Sequence, residues 1–226
     1  MKKTLAVFVA TVLTVGFAGA QTSTVTATDA GTAAYGDASG FLIDFDATPT
    51  LAVPWSPALV SGGLYSLDSI SIRYGGAQAN TSPKYLGVYS SFSSGVLSGF
   101  LGVSDNAIDF TAAASESWQQ FNFSGINLTV DSTVGSGSGL LYFVYQTGTS
   151  AIGGLETTVS TMRFDGFPAD PVTGDYLANI LAFGTIQAAR APEYQASITA
   201  VPEPSAIALL GFAGGMLLFA RRRSLR

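Results

Sequence analysis

Two residue types are missing from this chain, cysteine and histidine. Without cysteine the protein has no disulfides, no thiol nucleophile and no thiolate metal ligands, even in a compartment that permits disulfides. Without histidine it has no Ser-His-Asp triad, no His-ligated zinc and no access to the commonest general base. The two absences together exclude these classes of catalytic and metal site.

Charged residues are also scarce, at 11% of the 226 residues, while hydrophobic residues make up 47%. Ser, Thr and Gly fill much of the remainder, which predicts the neutral, hydroxyl-rich surface of many secreted β proteins. Residues 21–201 hold only four basic side chains against fourteen acidic ones, a net charge of −10. Because phosphate binding needs a basic face, we exclude nucleic acid as a partner.

The N-terminus has the layout of a secretory signal peptide. Lys2 and Lys3 precede an apolar run over residues 5–15, and the small residues Ala18-Gly19-Ala20 follow it. Signal peptidase accepts this small-x-small pattern, so we expect cleavage after Ala20 and a signal peptide over residues 1–20. An uncleaved N-terminal anchor is the alternative.

The C-terminus contains three elements in a fixed order. The triplet Pro202, Glu203, Pro204 comes first, the uncharged segment 205–220 follows, and Arg221, Arg222 and Arg223 come last. As a helix the segment reaches about 24 Å, short of the roughly 30 Å hydrocarbon core, but local thinning and snorkelling arginines cover such a mismatch. We therefore predict a single transmembrane helix over 205–220, with the basic end in the cytoplasm and the domain outside.

This order of elements, from Val201 to Arg226, resembles the PEP-CTERM sorting signal of Gram-negative bacteria. The resemblance implies recognition by an exosortase, a membrane protease thought to cut near the Pro-Glu-Pro triplet. It also implies transfer to the cell surface or the extracellular matrix. The alternative is a plain single-span anchor in which the triplet is incidental.

Between the two ends, short runs with a period of two residues recur between Gly, Pro, Asn and Ser. The predicted strands cover residues 41–45, 67–74, 85–89, 96–103, 118–130, 140–146, 159–164, 177–185 and 194–199. About nine short strands without a long amphipathic helix predict an all-β domain, an antiparallel β-sandwich over residues 41–200. Residues 21–40 read as a lead-in, either flexible or an edge strand.

Three of these segments allow more specific structural predictions. In 118–130 the alternation changes phase at Ser124-Gly125, which indicates a turn or a bulge. The run LLYFVYQ over 140–146 predicts a buried central strand. Residues 175–184 also fit a helical spacing, but we favour a strand because the run continues through residues 185–187.

The segment 67–146 resembles the "choice-of-anchor" surface domains of bacteria. The features that carry the resemblance are an LDSISIRYG strand, a Tyr-Leu-Gly-Val-Tyr strand, Trp118 with Phe121 and Phe123, and a Leu-Tyr-Phe-Val strand. The resemblance implies a jelly-roll-like extracellular domain with no established chemistry.

Carboxylates supply two candidate calcium sites. Asp165, Asp170 and Asp175 lie five residues apart in a Pro- and Gly-rich segment whose carboxylates and carbonyls are suited to Ca²⁺. The alternative is a solvated acidic loop. Asp44 and Asp46 share one face of a strand, where we expect them to face solvent, with calcium pairing as the alternative.

The aromatic residues supply a candidate carbohydrate-binding platform, since flat rings stack on sugars. Its members would be Trp118 and Trp55 with Tyr65, Tyr74 and Tyr89. The alternative is that these rings belong to the core.

Catalysis has the weakest support. A glycosidase needs two carboxylates on either side of one bond, and Glu116, Glu156 and Asp131 stand in no recognisable motif. The expected function is therefore a non-catalytic surface or matrix protein that binds polysaccharide or acts as an adhesive, and the alternative is a secreted hydrolase that acts on polysaccharide.

Overall fold

The structure is a computed structural model that describes residues 20–27, 34–45, 55–74, 83–111, 113, 117–130, 139–154, 162–168, 178–182, 185–187 and 190–202. The chain divides into two compact units, and the larger one, Thr22–Thr199, contains both β-sheets. The described residues form fourteen strands and no helix. The strands are β1 Thr22–Ala27, β2 Ala34–Ala38, β3 Gly40–Asp44, β4 Leu64–Tyr74, β5 Tyr85–Ser93, β6 Val96–Val103, β7 Ser117–Asn122, β8 Asn127–Thr129, β9 Leu140–Gln146, β10 Met162–Pro168, β11 Ala178–Ala182, β12 Thr185–Gln187, β13 Arg190–Pro192 and β14 Tyr194–Ala200.

The strands form two antiparallel sheets. The eight-stranded sheet has the order β1-β14-β4-β10-β13, with β7 and β8 also paired to β4 and β2 paired to β10. The six-stranded sheet has the order β12-β11-β3-β9-β5-β6. This architecture confirms the prediction of an all-β domain with antiparallel sheets.

Aromatic rings join the inner faces of the two sheets. Phe121 of β7 lies 6.1 Å from Tyr145 of β9, measured between ring centroids. Phe110, in the segment between β6 and β7, lies 5.2 Å from Tyr74 of β4 and 6.1 Å from Tyr145. Rings of this size bury large apolar areas, so these contacts form the centre of the hydrophobic core.

Several sequence predictions are confirmed strand by strand. β6 and β9 have the predicted bounds, and β9 lies buried between β3 and β5, as expected of a central strand. The segment 177–185 contains β11 and the start of β12, so the helical alternative is wrong for the residues described there. The additional strands are short and rich in Ala, Thr and Gly, which weakens any periodic signal.

The phase change predicted at Ser124-Gly125 is confirmed as a bend between β7 and β8. Both strands pair with β4, with Ser69 opposite Asn122 and Ser66 opposite Asn127. The partner segment therefore holds two more residues than β4 between these points. Gly125 adopts a φ of 73°, a left-handed conformation that suits glycine.

The expectation that Asp44 faces solvent is wrong, because Asp44 is buried. All five residues of β3 are buried, and Asp44 is only 2% exposed. The reason is a second hydrophobic cluster that contains alternate residues of the six-stranded sheet, Leu42, Tyr89, Phe92, Leu97, Tyr142 and Val144. Alternation along β3 therefore does not separate a buried face from a wet one. Asp46 lies outside the described residues.

The predicted terminal signals fall mainly outside the described residues. Ala18 of the signal peptide, Glu203, Pro204, the segment 205–220 and the three arginines are not described. Pro202 is described and belongs to no strand. Within the described part of the chain, no helix has the length and apolar character needed to span a membrane.

Candidate functional site

The structure separates the two tryptophans of the predicted platform. Trp55 is 3% exposed and stacks on Phe45, with 5.6 Å between ring centroids. Burial covers both faces of its ring, so we leave Trp55 out of the candidate site. Tyr65, Tyr74 and Tyr89 are also buried, as the core alternative predicts. Trp118 is different, because it is half-buried and lies on β7.

Trp118 belongs to the outer surface of the eight-stranded sheet. Side chains alternate along a strand, and Phe121 of β7 and its partner Ile70 of β4 point into the core. Trp118 and its partner Arg73 have the opposite parity and therefore point away from the other sheet. The alternation of β4 shifts by one residue between Leu67 and Ile70, which are both buried, so Ser66 and Asp68 also lie on the outer surface. We call this surface the polar face. Its members are Thr22, Thr24, Thr26, Gln195, Ser197, Thr199, Ser66, Asp68, Ser69, Ser71, Arg73, Trp118, Gln120, Asn122, Asn127 and Thr129.

Arg73, the register partner of Trp118, forms an ion pair. Arg73 Nη1 donates to Glu193 Oε2 at 2.9 Å, and the Glu193 side chain is 2% exposed while that of Arg73 is 29% exposed. The pair is tied to the sheet because the Arg73 N–H also donates to the Glu193 carbonyl at 3.2 Å. A buried carboxylate needs such a partner. The pair therefore fixes the Arg73 guanidinium on Glu193 without adding net charge to the polar face.

Asn106 fixes the edge of β7 from the loop that follows β6. Its Nδ2 donates to the Gln120 carbonyl at 2.9 Å, and its Oδ1 accepts from the Asn122 N–H at 2.8 Å. The Asn122 carbonyl accepts from the Asp105 N–H at 2.7 Å. These bonds replace the pairing that a further strand would supply and close this edge of the sheet. They also hold Gln120 and Asn122 in place beside Trp118.

A carboxylate surrounded by hydroxyl groups lies elsewhere on the polar face. Thr199 Oγ1 donates to Asp68 Oδ2 at 2.7 Å, and Ser197 Oγ donates to the same oxygen at 3.3 Å. Thr199 Oγ1 also lies 2.7 Å from Thr22 Oγ1, so the network extends from β4 across β14 to β1. Both hydrogen bonds to Asp68 end on Oδ2. Among the described residues, none donates to Oδ1.

The structure describes no side-chain geometry for the other predicted site residues. Asp165 belongs to β10, but its side chain is not described, and Asp170 and Asp175 lie outside the described residues. Glu116, Glu156 and Asp131 lie outside them as well. Among the residues that are described, no three carboxylates lie close enough together to hold a metal ion. The calcium loop and the carboxylate pair of a hydrolase therefore stay predictions.

Sequence reasoning found Trp118 but missed the rest of the polar face. The signal for β1 was present, because Thr22, Thr24 and Thr26 alternate with Ser23 and Val25. Asp68 carried no signal, since its partners are 129 and 131 residues away in the chain.

Flat aromatic surface, fixed amides and hydroxyls are groups that bind polyhydroxylated molecules in water. Comparisons of the chain with protein-family models, with curated proteins and with solved structures found no match.

Proposed function

We propose that the protein is an exported bacterial surface or extracellular-matrix protein that is sorted by an exosortase. The support is the order of linear signals: a signal peptide over residues 1–20 and a PEP-CTERM-like tail from Val201 to Arg226. The tail holds the chain in the inner membrane of a Gram-negative cell until the exosortase acts on it. Signal peptidase and the exosortase are the two processing partners.

The proposed fold of the exported domain is a jelly-roll-like β-sandwich. Its support is the way in which the chain alternates between the sheets, since β3, β5, β9 and β11 lie in one sheet and β4, β8 and β10 lie in the other. The aromatic contacts between the inner faces supply the core that a sandwich requires. The resemblance of residues 67–146 to choice-of-anchor domains points the same way.

The proposed activity is non-catalytic binding of polysaccharide. The observation that carries it is the polar face, where a half-buried Trp118 shares one side of β7 with Gln120 and Asn122, whose amides bond to each other, and pairs in register with Arg73 of β4. Aromatic rings with polar groups around them are typical of binding surfaces that orient a ligand by hydrogen bonds.

One assay separates this function from that of a hydrolase. Purified full-length protein in mild detergent is incubated with a panel of polysaccharides, and both retention and release of reducing ends are measured, with and without calcium. Retention without release supports the binding module, whereas release of reducing ends replaces it with a polysaccharide hydrolase. Loss of either signal on calcium removal would make Asp165, Asp170 and Asp175 a metal site. The absence of both signals would leave a structural or adhesive role.

Sorting is tested in the native cell. Mass spectrometry of the mature protein should find Gln21 at its N-terminus, and a retained Met1 would contradict cleavage after Ala20. Deletion of the exosortase, or Glu203→Ala, should leave protein with an uncut tail in the inner membrane. If neither change alters its size or location, the tail is only an anchor.

A further inference from the structure

Resting on the proposed function, we infer that the ligand of the polar face is an extended, neutral polysaccharide. Trp118 stacks on one of its sugar rings, and Asp68 with the hydroxyls around it binds another sugar unit farther along the chain. Uncharged glycans are thereby favoured over glycans rich in uronic acids.

The length of the site follows from the spacing of two residues along β4. Arg73, which pairs with Trp118, and Asp68 are five residues apart on this strand. At about 3.3 Å per residue they are separated by at most about 16 Å along the sheet. A single sugar ring is too small to reach both points. Ser69 lies between them, is half-buried and offers a hydroxyl to a chain that crosses the face, whereas Ser71 is buried.

The charge of the ligand follows from the charges of the protein. The exported part of the chain, residues 21–201, has a net charge of −10. The Arg73 guanidinium is paired with Glu193, and Lys84 is only 2% exposed. Asp68 therefore leaves the described polar face with one net negative charge. An anionic glycan would be repelled by this surface, whereas a neutral one would not.

The chemistry of Asp68 suits a neutral sugar. A carboxylate only accepts hydrogen bonds, and the hydroxyl groups of a neutral sugar supply donors. Oδ2 is already occupied by Thr199 and Ser197, which hold the carboxylate in one orientation. Oδ1 can then accept from a sugar hydroxyl, and such a charge-assisted bond is stronger than one between neutral groups.

The test is affinity electrophoresis of the full-length protein in non-ionic detergent. The gels contain either a neutral glucan, a neutral galactomannan or the anionic polygalacturonate. We expect retention by at least one neutral glycan and none by polygalacturonate. Trp118→Ala and Asp68→Asn should each weaken retention about tenfold, the effect of losing one strong contact.

Two matched variants control for nonspecific effects. Phe100→Ala removes an exposed aromatic side chain from the six-stranded sheet, where Phe100 is 36% exposed. Asp109→Asn removes an exposed carboxylate that, like Asp68, accepts a hydrogen bond from a threonine, Thr111 Oγ1 at 2.6 Å. Both should retain wild-type binding. Trp118→Phe keeps a ring at the same place and should lose less binding than Trp118→Ala if stacking is the contact. Urea unfolding of every variant separates lost binding from lost folding.

The outcomes separate this inference from the function on which it rests. Retention by polygalacturonate alone would keep the polysaccharide-binding function and overturn the neutral ligand. Retention by a neutral glycan that neither Trp118→Ala nor Asp68→Asn weakens would keep the function and overturn the placement on the polar face. Retention by none of the three glycans overturns the inference, and the broader panel described above then decides the function.

Discussion

Two buried tyrosines of the domain differ in whether their hydroxyl groups are bonded. Tyr89 OH donates to Gln146 Oε1 at 3.1 Å and accepts from the Ile152 N–H at 2.8 Å. Tyr194 is 1% exposed, and among the described residues its hydroxyl has no hydrogen-bond partner. A buried polar group without a partner costs about 1–3 kcal/mol.

Loss of the hydroxyl should therefore have opposite effects at the two positions. We expect Tyr194→Phe to raise the free energy of unfolding by about 1 kcal/mol, because it removes an unsatisfied group. Tyr89→Phe should lower it by about 1–2 kcal/mol, because it leaves Gln146 and the Ile152 N–H without a partner. Urea unfolding followed by tryptophan fluorescence measures both. Destabilisation by Tyr194→Phe would mean that its hydroxyl has a partner in solution.

Gly87 of β5 is required by the same network. A Cβ at position 87 would overlap Gln146 Oε1. Gln146 has no room to yield, because its Nε2 donates to the Gly148 and Ser150 carbonyls at 2.7 and 3.0 Å.

Gly87→Ala should lower the free energy of unfolding by about 1–3 kcal/mol, as overpacking does. Gly148→Ala is the control, since a Cβ there would meet nothing within 4 Å. Urea midpoints of the two variants give the comparison. Equal midpoints would show that Gln146 can be displaced without cost.

At the scale of elements, period-two patterns located strands well and assigned their faces less well. β6 and β9 end where the patterns end, because Gly and Ser residues flank them and break the run. β3 has the same alternation, yet both of its faces are buried. Whether a strand has a wet face depends on what packs on each side of its sheet, and this is set by residues far away in the chain.

The bend between β7 and β8 gives a prediction at this scale. Gly125 has a φ of 73°, and a Cβ there would meet nothing within 4 Å. Backbone strain is then the whole cost of Gly125→Ala, about 1–2 kcal/mol of unfolding free energy. Gly125→Asn should cost less, because asparagine tolerates the left-handed region.

Urea unfolding of the two variants measures this cost. Gly153→Ala serves as the control, because position 153 is equally open and lacks a left-handed φ. A cost at Gly153 equal to that at Gly125 would contradict the conformational explanation.

At the scale of the whole molecule, the buried tyrosines make the free energy of unfolding depend on pH in the alkaline range. Burial raises the pKa of Tyr142 and Tyr194 and raises the pKa of Tyr145 well above the ordinary value of about 10. The charge of Asp44 adds to the effect at Tyr142 and Tyr194. These folded-state pKa values exceed the unfolded ones. The contribution of the neutral tyrosines to the free energy of unfolding is therefore complete below about pH 10, and it is lost as the pH rises through the folded-state pKa values.

The free energy of unfolding should therefore be constant near pH 8 and fall above about pH 10 as tyrosines of the unfolded chain ionise. Urea unfolding at several pH values measures the slope, and Tyr194→Phe should reduce it. Tyrosinate absorbance should show that part of the nine tyrosines ionises only when the protein unfolds. Titration of all nine near pH 10 with the fold intact would refute this account.

The sequence by itself determined the all-β class and several strand bounds, because period-two alternation and Gly or Ser breaks are local properties of the chain. The sorting signals are linear features as well, and they stay predictions. Tertiary structure alone decided that Trp118 is half-buried while Trp55 is buried, that Asp44 is covered, and that Asp68 accepts a hydrogen bond from Thr199, 131 residues away. Exposure and hydrogen-bond partners depend on which strands become neighbours and which sheet faces are covered. Both are set by contacts between distant segments, and no local pattern records them.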